Sequence, residues 1–366
     1  MTPKSEAELA QMIKGANAPL RIQGGGTRPI GHAHGDGLET GALAGVTLYE
    51  PGALTIVAQA GTPVAEIEKT LAKENQRLAF EPMDHRTLLG TKGEPTIGGV
   101  VAANVSGPRR ISVGACRDFM LGVRFVDGAG DIIKNGGRVM KNVTGYDLVK
   151  LMTGAYGTLG VLTEVSMKVL PDVAAQAMLT LDGLNDTQAI AAMSAGLSSP
   201  YEVTGVAHDP QEGKTLFRLE GFPDSIAYRA DALTKHLARF GTAATTEDTQ
   251  LVKDTWIGIR DVGAFAGKDG DVWRISAKPS DAPDLVAKIG PKAVQYDWGG
   301  GLIWVLTDPG RNIRTALGDF DGHATLIRGG AEFPTFQPEP PALAAITAGL
   351  RAKFDPRGIL NPGMMN

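Results

Sequence analysis

Pro19-Leu-Arg-Ile-Gln-Gly-Gly-Gly-Thr-Arg-Pro29 sets three consecutive glycines between a short apolar run and a threonine. Glycine gives up more backbone freedom on folding than any other residue, so three together need a reason. A tight turn of this kind can form a nest of backbone N–H groups that favours an anion, and Thr27 adds a hydroxyl donor. Gln23, Gly24, Gly25, Gly26 and Thr27 are therefore candidates to hold a diphosphate, although a bare turn of this composition is more often structural. It matches neither the Gly-Lys-Ser/Thr phosphate loop nor the GxGxxG fingerprint, which weighs against a kinase-like site and an NAD-type Rossmann fold.

Outward from the turn, residues 20–23 read as a short strand and 5–14 as a helix, with Ser5 as cap and Glu8 as its box partner. A strand at 55–60 leads into a helix over 64–74, with Thr62 suited to the cap and Pro63 to the first turn. Thr96 to Pro108 is nearly all small residues, which suits a helix only where another surface comes very close. Strands follow at 119–126, at a hairpin mate from Ile132, and at 161–170.

The texture changes after Pro171. Residues 172–340 approximate twice the order strand, helix, strand, strand, helix, strand, which predicts two related antiparallel, ferredoxin-like α+β units. The prediction is an α+β protein with a glycine-rich part at 1–171, a second part at 172–340, and a segment at 341–366 that returns to the first.

The chain has 366 residues, which favours two domains over one core. Its 36 basic and 40 acidic side chains include no Lys/Arg run, which weighs against nucleic acid as a partner. A single cysteine, Cys116, leaves no intrachain disulfide and no self-contained iron-sulfur site. No signal-like or membrane-length apolar stretch stands out, so the expectation is an intracellular protein whose contact with a membrane is peripheral.

Three further passages bear on the glycine turn. Ile97-Gly98-Gly99-Val-Val-Ala-Ala-Asn104 runs on to Gly107-Pro-Arg-Arg110; Gly157-Thr-Leu-Gly160-Val161-Leu-Thr163 and Asn361-Pro-Gly363 lie further along. Together they point to a long, flat, phosphorylated cofactor lying along backbone. With the runs Arg117–Asp127, 141–152 and 354–363, these stretches make the chain resemble the flavoproteins of the vanillyl-alcohol oxidase and para-cresol methylhydroxylase superfamily. Within it, the chain is similar to the FAD-binding subunits of bacterial glycolate oxidases.

The resemblance implies noncovalent FAD, with its pyrophosphate on the backbone of Gly24 to Thr27. It places Gly98, Gly99 and Asn104 along the ribityl and flavin path with Gly107 and Arg110 nearby. Gly160, Val161 and Thr163 would stand by the adenosine end and Asn361 near the isoalloxazine. It implies a PCMH-type FAD-binding domain capped by the second part. It also implies two partners, a catalytic glycolate oxidase flavoprotein subunit and an iron-sulfur subunit, at the inner face of the cytoplasmic membrane. Catalytic relatives carry a histidine-rich metal motif ending in Asp-Gly-Asn-x-His. The six histidines here, His32, His34, His85, His208, His236 and His323, form no such pattern. That departure assigns oxidation of glycolate mainly to the sister subunit.

Other residues leave alternatives open. His32 and His34 could make loop contacts, pair on a metal, or tether flavin. Cys116 reads as a buried thiol before a nucleophile. Arg110 is balanced between a solvated face and compensation of cofactor charge, while Tyr146-Asp147 reads as a turn before an acid–base pair. Arg260 is the preferred clamp for the carboxylate of a small 2-hydroxy acid, because a guanidinium grips it bidentately, and Arg274 is a second candidate. A freestanding FAD oxidoreductase and a non-catalytic scaffold are the competing functions.

Overall fold

The structure is a computed structural model that describes residues 1–138, 145–330 and 332–365. Residues 141–144, which open the 141–152 motif, lie outside the described residues. The first strands, β1 (Leu20–Gln23) and β2 (Asp36–Glu39), pair in parallel around the glycine turn. The helix Glu6–Gly15 packs beneath them through Leu9, Ala10 and Ile13. Ser5 Oγ accepts from the Glu8 N–H, but the Glu8 carboxylate reaches Lys4 N–H instead of completing the box.

A five-stranded antiparallel sheet lies alongside. It is built from β3 (Val46–Glu50), β4 (Thr55–Gln59), β6 (Met120–Val126), β7 (Ile132–Gly136) and β8 (Val161–Lys168), in the order β3-β4-β8-β6-β7. The two-residue strands β5 (Gln76–Arg77) and β9 (Leu170–Pro171) pair separately. The helix after β4 runs Val64–Ala72. Pro63 is its cap rather than its first turn, and the Thr62 hydroxyl is spent on the Gln59 carbonyl at 2.7 Å. Phe119 ends a short helix, so β6 begins one residue later than expected.

The second sheet has eight strands. They are β10 (Ala175–Asp182), β11 (Gly205–Asp209), β12 (Lys214–Gly221), β13 (Ala244–Thr246), β14 (Asp271–Ala277), β15 (Ala293–Asp297), β16 (Leu302–Thr307) and β17 (Gly322–Arg328). Their order is β13-β10-β12-β11-β15-β16-β14-β17. Each half has the spatial order 4-1-3-2 or its reverse, and the halves join where Ala207 and His208 meet Asp297 and Tyr296. The repeated βαββαβ order is thus two units sharing one sheet. The helix Thr249–Arg260, which the sequence reading passed over, covers the inner face of the first unit through Val252 and Trp256.

Strand alternation decides what lies between the two sheets. On β12, Phe217 and Leu219 face the helices Asp186–Leu197 and Pro223–Leu237, so Arg218 and Glu220 face the first half of the chain. There they meet buried partners. Arg218 donates to both Glu81 carboxylate oxygens at 2.9 Å, and Arg109 donates to Glu220 at 2.8 and 2.6 Å. Arg77 adds a third guanidinium on Glu220 at 3.0 Å. Burial alone would raise the Glu220 carboxyl, but Arg218, Arg109 and Arg77 hold it far below the usual carboxylate range. Among the described residues no helix is long and apolar enough to cross a membrane.

Candidate functional site

At the end of β1 the chain enters the glycine turn. The N–H groups of Gly24, Gly25, Gly26 and Thr27 find no acceptor among the described residues. These residues line a cleft between the first half's segments. Four unpaired backbone donors in a row on a cleft wall make a nest of the kind that suits an anion. The glycines themselves serve a different contact from the one expected. A Cβ on Gly25 would stand 1.7 Å from the Glu94 carbonyl oxygen, and one on Gly24 would stand 2.4 Å from Thr96 Oγ1. Gly26 adopts φ 69°, which favours glycine. The missing side chains let the 93–96 segment pack directly against the turn.

Thr96 links this support to the next wall. Its hydroxyl accepts from the Gly99 N–H and caps the helix Ile97–Ala102, while Gly98 packs so that a Cβ would lie 2.7 Å from Ala60. Gly98, Gly99, Gly160, Val161 and Asn361 all line the same cleft as the turn. Asn361 has φ 45° and staples the C-terminal tail in place. Its Oδ1 accepts from Ile22 N–H at 2.7 Å and its Nδ2 donates to the Tyr156 carbonyl at 2.8 Å. Glycine passages far apart in sequence therefore form one continuous groove.

Five sequence-selected residues lie outside that lining. Asn104 Oδ1 accepts from Arg117 N–H, closing a turn. Gly107 fits against the Glu81 carbonyl, where a Cβ would be 2.3 Å away, and its own carbonyl accepts the Trp298 indole N–H at 3.0 Å. The Thr163 hydroxyl donates to Glu6. Arg110 lies over the Trp298 ring, with Cζ 4.4 Å from its centroid. Arg260 is committed to its neighbour: Nε and Nη2 donate to the two Asp261 carboxylate oxygens at 2.8 Å each. Its fork is occupied, so it is not an open carboxylate clamp.

Arg28, His85 and Tyr156, to which the sequence reading gave no role, do line the cleft. Arg28 donates from Nε to His85 Nε2 and from Nη2 to the Tyr156 hydroxyl, both at 3.2 Å. Burial and then the Arg28 charge hold the His85 imidazole well below its ordinary value, so it stays neutral and orients Arg28. On the inner face of the second sheet, Arg274 stands opposite Trp304 and Thr325. Its Cζ lies 5.3 Å from the Trp298 centroid. Burial, and then the charges of Arg274 and Arg110, lower the His323 imidazole below its ordinary value. Cys116 is buried and its thiol is pushed up, so it is inert; Tyr146 is exposed, and Asp147 caps the helix Leu148–Met152.

Trp298 itself is held in strain. Its φ is 53°, followed by φ 69° at Gly299 and 101° at Gly300. Asp297 Oδ1 accepts the Trp298 N–H at 2.7 Å. Burial pushes the Asp297 carboxyl up to about 7, against the pull of that N–H and of Arg218. A carboxyl raised on folding favours the folded state when protonated. Its contribution is complete below the unfolded value of about 4 and is lost as pH rises through about 7. Asp297→Asn should therefore flatten the fall in thermal midpoint between pH 5 and about 7; an unchanged profile would show that Asp297 does not titrate there.

The comparisons with known proteins agree with this geometry. A family model described as an FAD binding domain matches residues 1–136. Glycolate oxidase subunit GlcE of Escherichia coli K12 is 34% identical over 99% of this chain and 97% of its own length. The chain belongs to the GlcE family. Glycolate oxidase subunit GlcD of Bacillus subtilis is 36% identical over 32% of this chain and 24% of its own length. An alkyldihydroxyacetonephosphate synthase structure superposes with a TM-score of 0.70 at 15% identity, covering 99% of this chain and 76% of its own, a likeness of fold. As a GlcE-family member the chain is an FAD-linked oxidoreductase of mixed α+β fold with antiparallel sheets. The nest at Gly24 to Thr27 fits the diphosphate of that cofactor. Bound FAD supplies a two-electron acceptor, and the chain's own residues position it and shape the electrostatics around it.

Proposed function

We propose that this chain is the FAD-carrying subunit of a glycolate oxidase complex. In that complex glycolate is converted to glyoxylate, with a sister flavoprotein as the main oxidising subunit and an iron-sulfur subunit receiving the electrons. The observation that carries this reading is the nearly end-to-end likeness to GlcE of Escherichia coli. Residues 1–171 and 341–366 form the FAD-binding domain, and 172–340 form a cap over it. Gln23 to Thr27 hold the diphosphate, while Gly98, Gly99, Gly160, Val161 and Asn361 line the path of the cofactor. FAD is held without a covalent bond, a reading supported by Ala33 lining the cleft while His32 and His34 on either side do not. The complex gathers at the inner face of the cytoplasmic membrane without this chain spanning it.

Arg260, the clamp expected from the sequence, is bound to Asp261, and the six histidines form no pattern like the metal motif of the catalytic relatives. The isolated, FAD-loaded chain is therefore expected to bleach slowly, if at all, when mixed anaerobically with glycolate. Co-purified partners should restore fast bleaching. Rapid stoichiometric bleaching by the chain alone would instead establish a freestanding enzyme, the second reading, which the arginines around Trp298, neither in a hydrogen bond nor in an ion pair among the described residues, favour.

A further inference from the structure

Most arginines that meet the second sheet's inner face have a carboxylate. Arg77, Arg109 and Arg218 share Glu81 and Glu220, and Arg260 has Asp261. Arg110 and Arg274 differ. Neither guanidinium makes a hydrogen bond or an ion pair among the described residues; both lie against the Trp298 ring, and Asp118 acts on Arg110 only at longer range. Arg28, close enough for its charge to act on Arg274, rests on the neutral partners His85 and Tyr156. Burial lowers Arg274 to about 10; the charges of Arg110 and Arg28 act the same way, and Tyr156 and Asp297 act against them. Asp297, whose charge favours protonated Arg274, is hydrogen-bonded to the Trp298 N–H and is itself raised to about 7.

Gathering guanidiniums with no carboxylate in direct contact costs free energy that a bound anion would offset. The glycine nest meets the diphosphate elsewhere with backbone donors, so it does not explain these two side chains. Trp298, which both guanidiniums approach, is fixed by its indole N–H on Gly107, its strained backbone and Asp297, which gives the pair a rigid apolar platform. A small ligand with one carboxylate and a short apolar stem matches that combination of guanidinium donors and indole face.

We propose that Arg274 and Arg110, set against Trp298, form a subsite in this chain for the carboxylate of a small 2-hydroxy or 2-oxo acid. The inference rests on the glycolate reading for the size of the acid, but not for the presence of an anion site. It makes this chain a ligand-binding subunit even where its own flavin is reduced slowly.

The test titrates the FAD-loaded protein anaerobically with glycolate, oxalate and the uncharged analogue glycolamide, following flavin difference spectra and tryptophan fluorescence. Saturable change with the two acids and none with glycolamide is expected. Arg274→Gln should weaken acid binding at least tenfold with FAD content unchanged, and Arg274→Lys should recover part of it. Arg110→Gln gives an independent arm if Arg274→Gln fails to fold. Equal affinity in wild type and both Gln variants, or a shifted flavin potential with unchanged acid affinity, would overturn the subsite. So would no response of the wild type to either acid; failure of the complex to oxidise glycolate while oxalate still binds would instead overturn only the functional reading.

Discussion

Gly25→Ala is expected to empty the protein of FAD. The new Cβ would fall 1.7 Å from the Glu94 carbonyl oxygen, a backbone atom that cannot swing aside as a flexible side chain could. Either the turn or the 93–96 segment must move, at a cost of about 1–3 kcal/mol or more for overpacking. The displacement would turn the four unpaired N–H groups away from a common centre. Flavin content per chain should fall more than tenfold, with a lower thermal midpoint. Gly52→Ala is the control, because a Cβ there meets nothing within 4 Å. A folded Gly25→Ala protein with full flavin would remove the nest from the account.

The second large effect concerns stability. Glu220→Ala should cost about 3–5 kcal/mol in denaturant titration, because it leaves buried guanidiniums without their shared carboxylate. Arg109 and Glu220 are each 6% exposed and Arg218 is 1% exposed, so solvent cannot replace the lost partner. Glu220→Gln should lose less, since it keeps an acceptor. Replacing Arg109 with Met and Glu220 with Leu together should approach the wild type more closely than either change alone. A Glu220→Ala loss under ~0.5 kcal/mol would mean that the cluster is not holding the two sheets together.

Much of the fold was readable because it is local. Apolar residues facing one side mark β10, β12 and β14, a continuous apolar run marks β16, and Ser5, Thr96 and Asn185 announce their helices through side-chain caps. The helix Thr249–Arg260 was also legible in principle. Asp248 caps it, and Val252, Trp256 and Ile259 recur at helical spacing, but an otherwise polar surface masked the signal.

The glycine passages were readable as a group, although the reason for Gly25 was not. Its contact is with a segment almost seventy residues away, and only the folded chain places Glu94 behind it. Arg260 misled for the opposite reason: the adjacent Asp261 was a sufficient local partner. Arg110, Arg274 and Trp298 come from three distant segments, joined by strand register and an unusual backbone at 298–300. No spacing rule links them. Arg28 follows the quoted turn directly, but its neutral partners His85 and Tyr156 could not be found without the fold.

The most direct measurement of the central claim is the identity and stoichiometry of the nucleotide released when the purified, FAD-reconstituted chain is denatured. The account predicts about one FAD per chain, freed completely by denaturation and missing from Gly25→Ala but retained by Gly52→Ala. Flavin that stays on the denatured chain would contradict noncovalent binding, and a folded wild-type chain that takes up no FAD would contradict the assignment of the cleft itself.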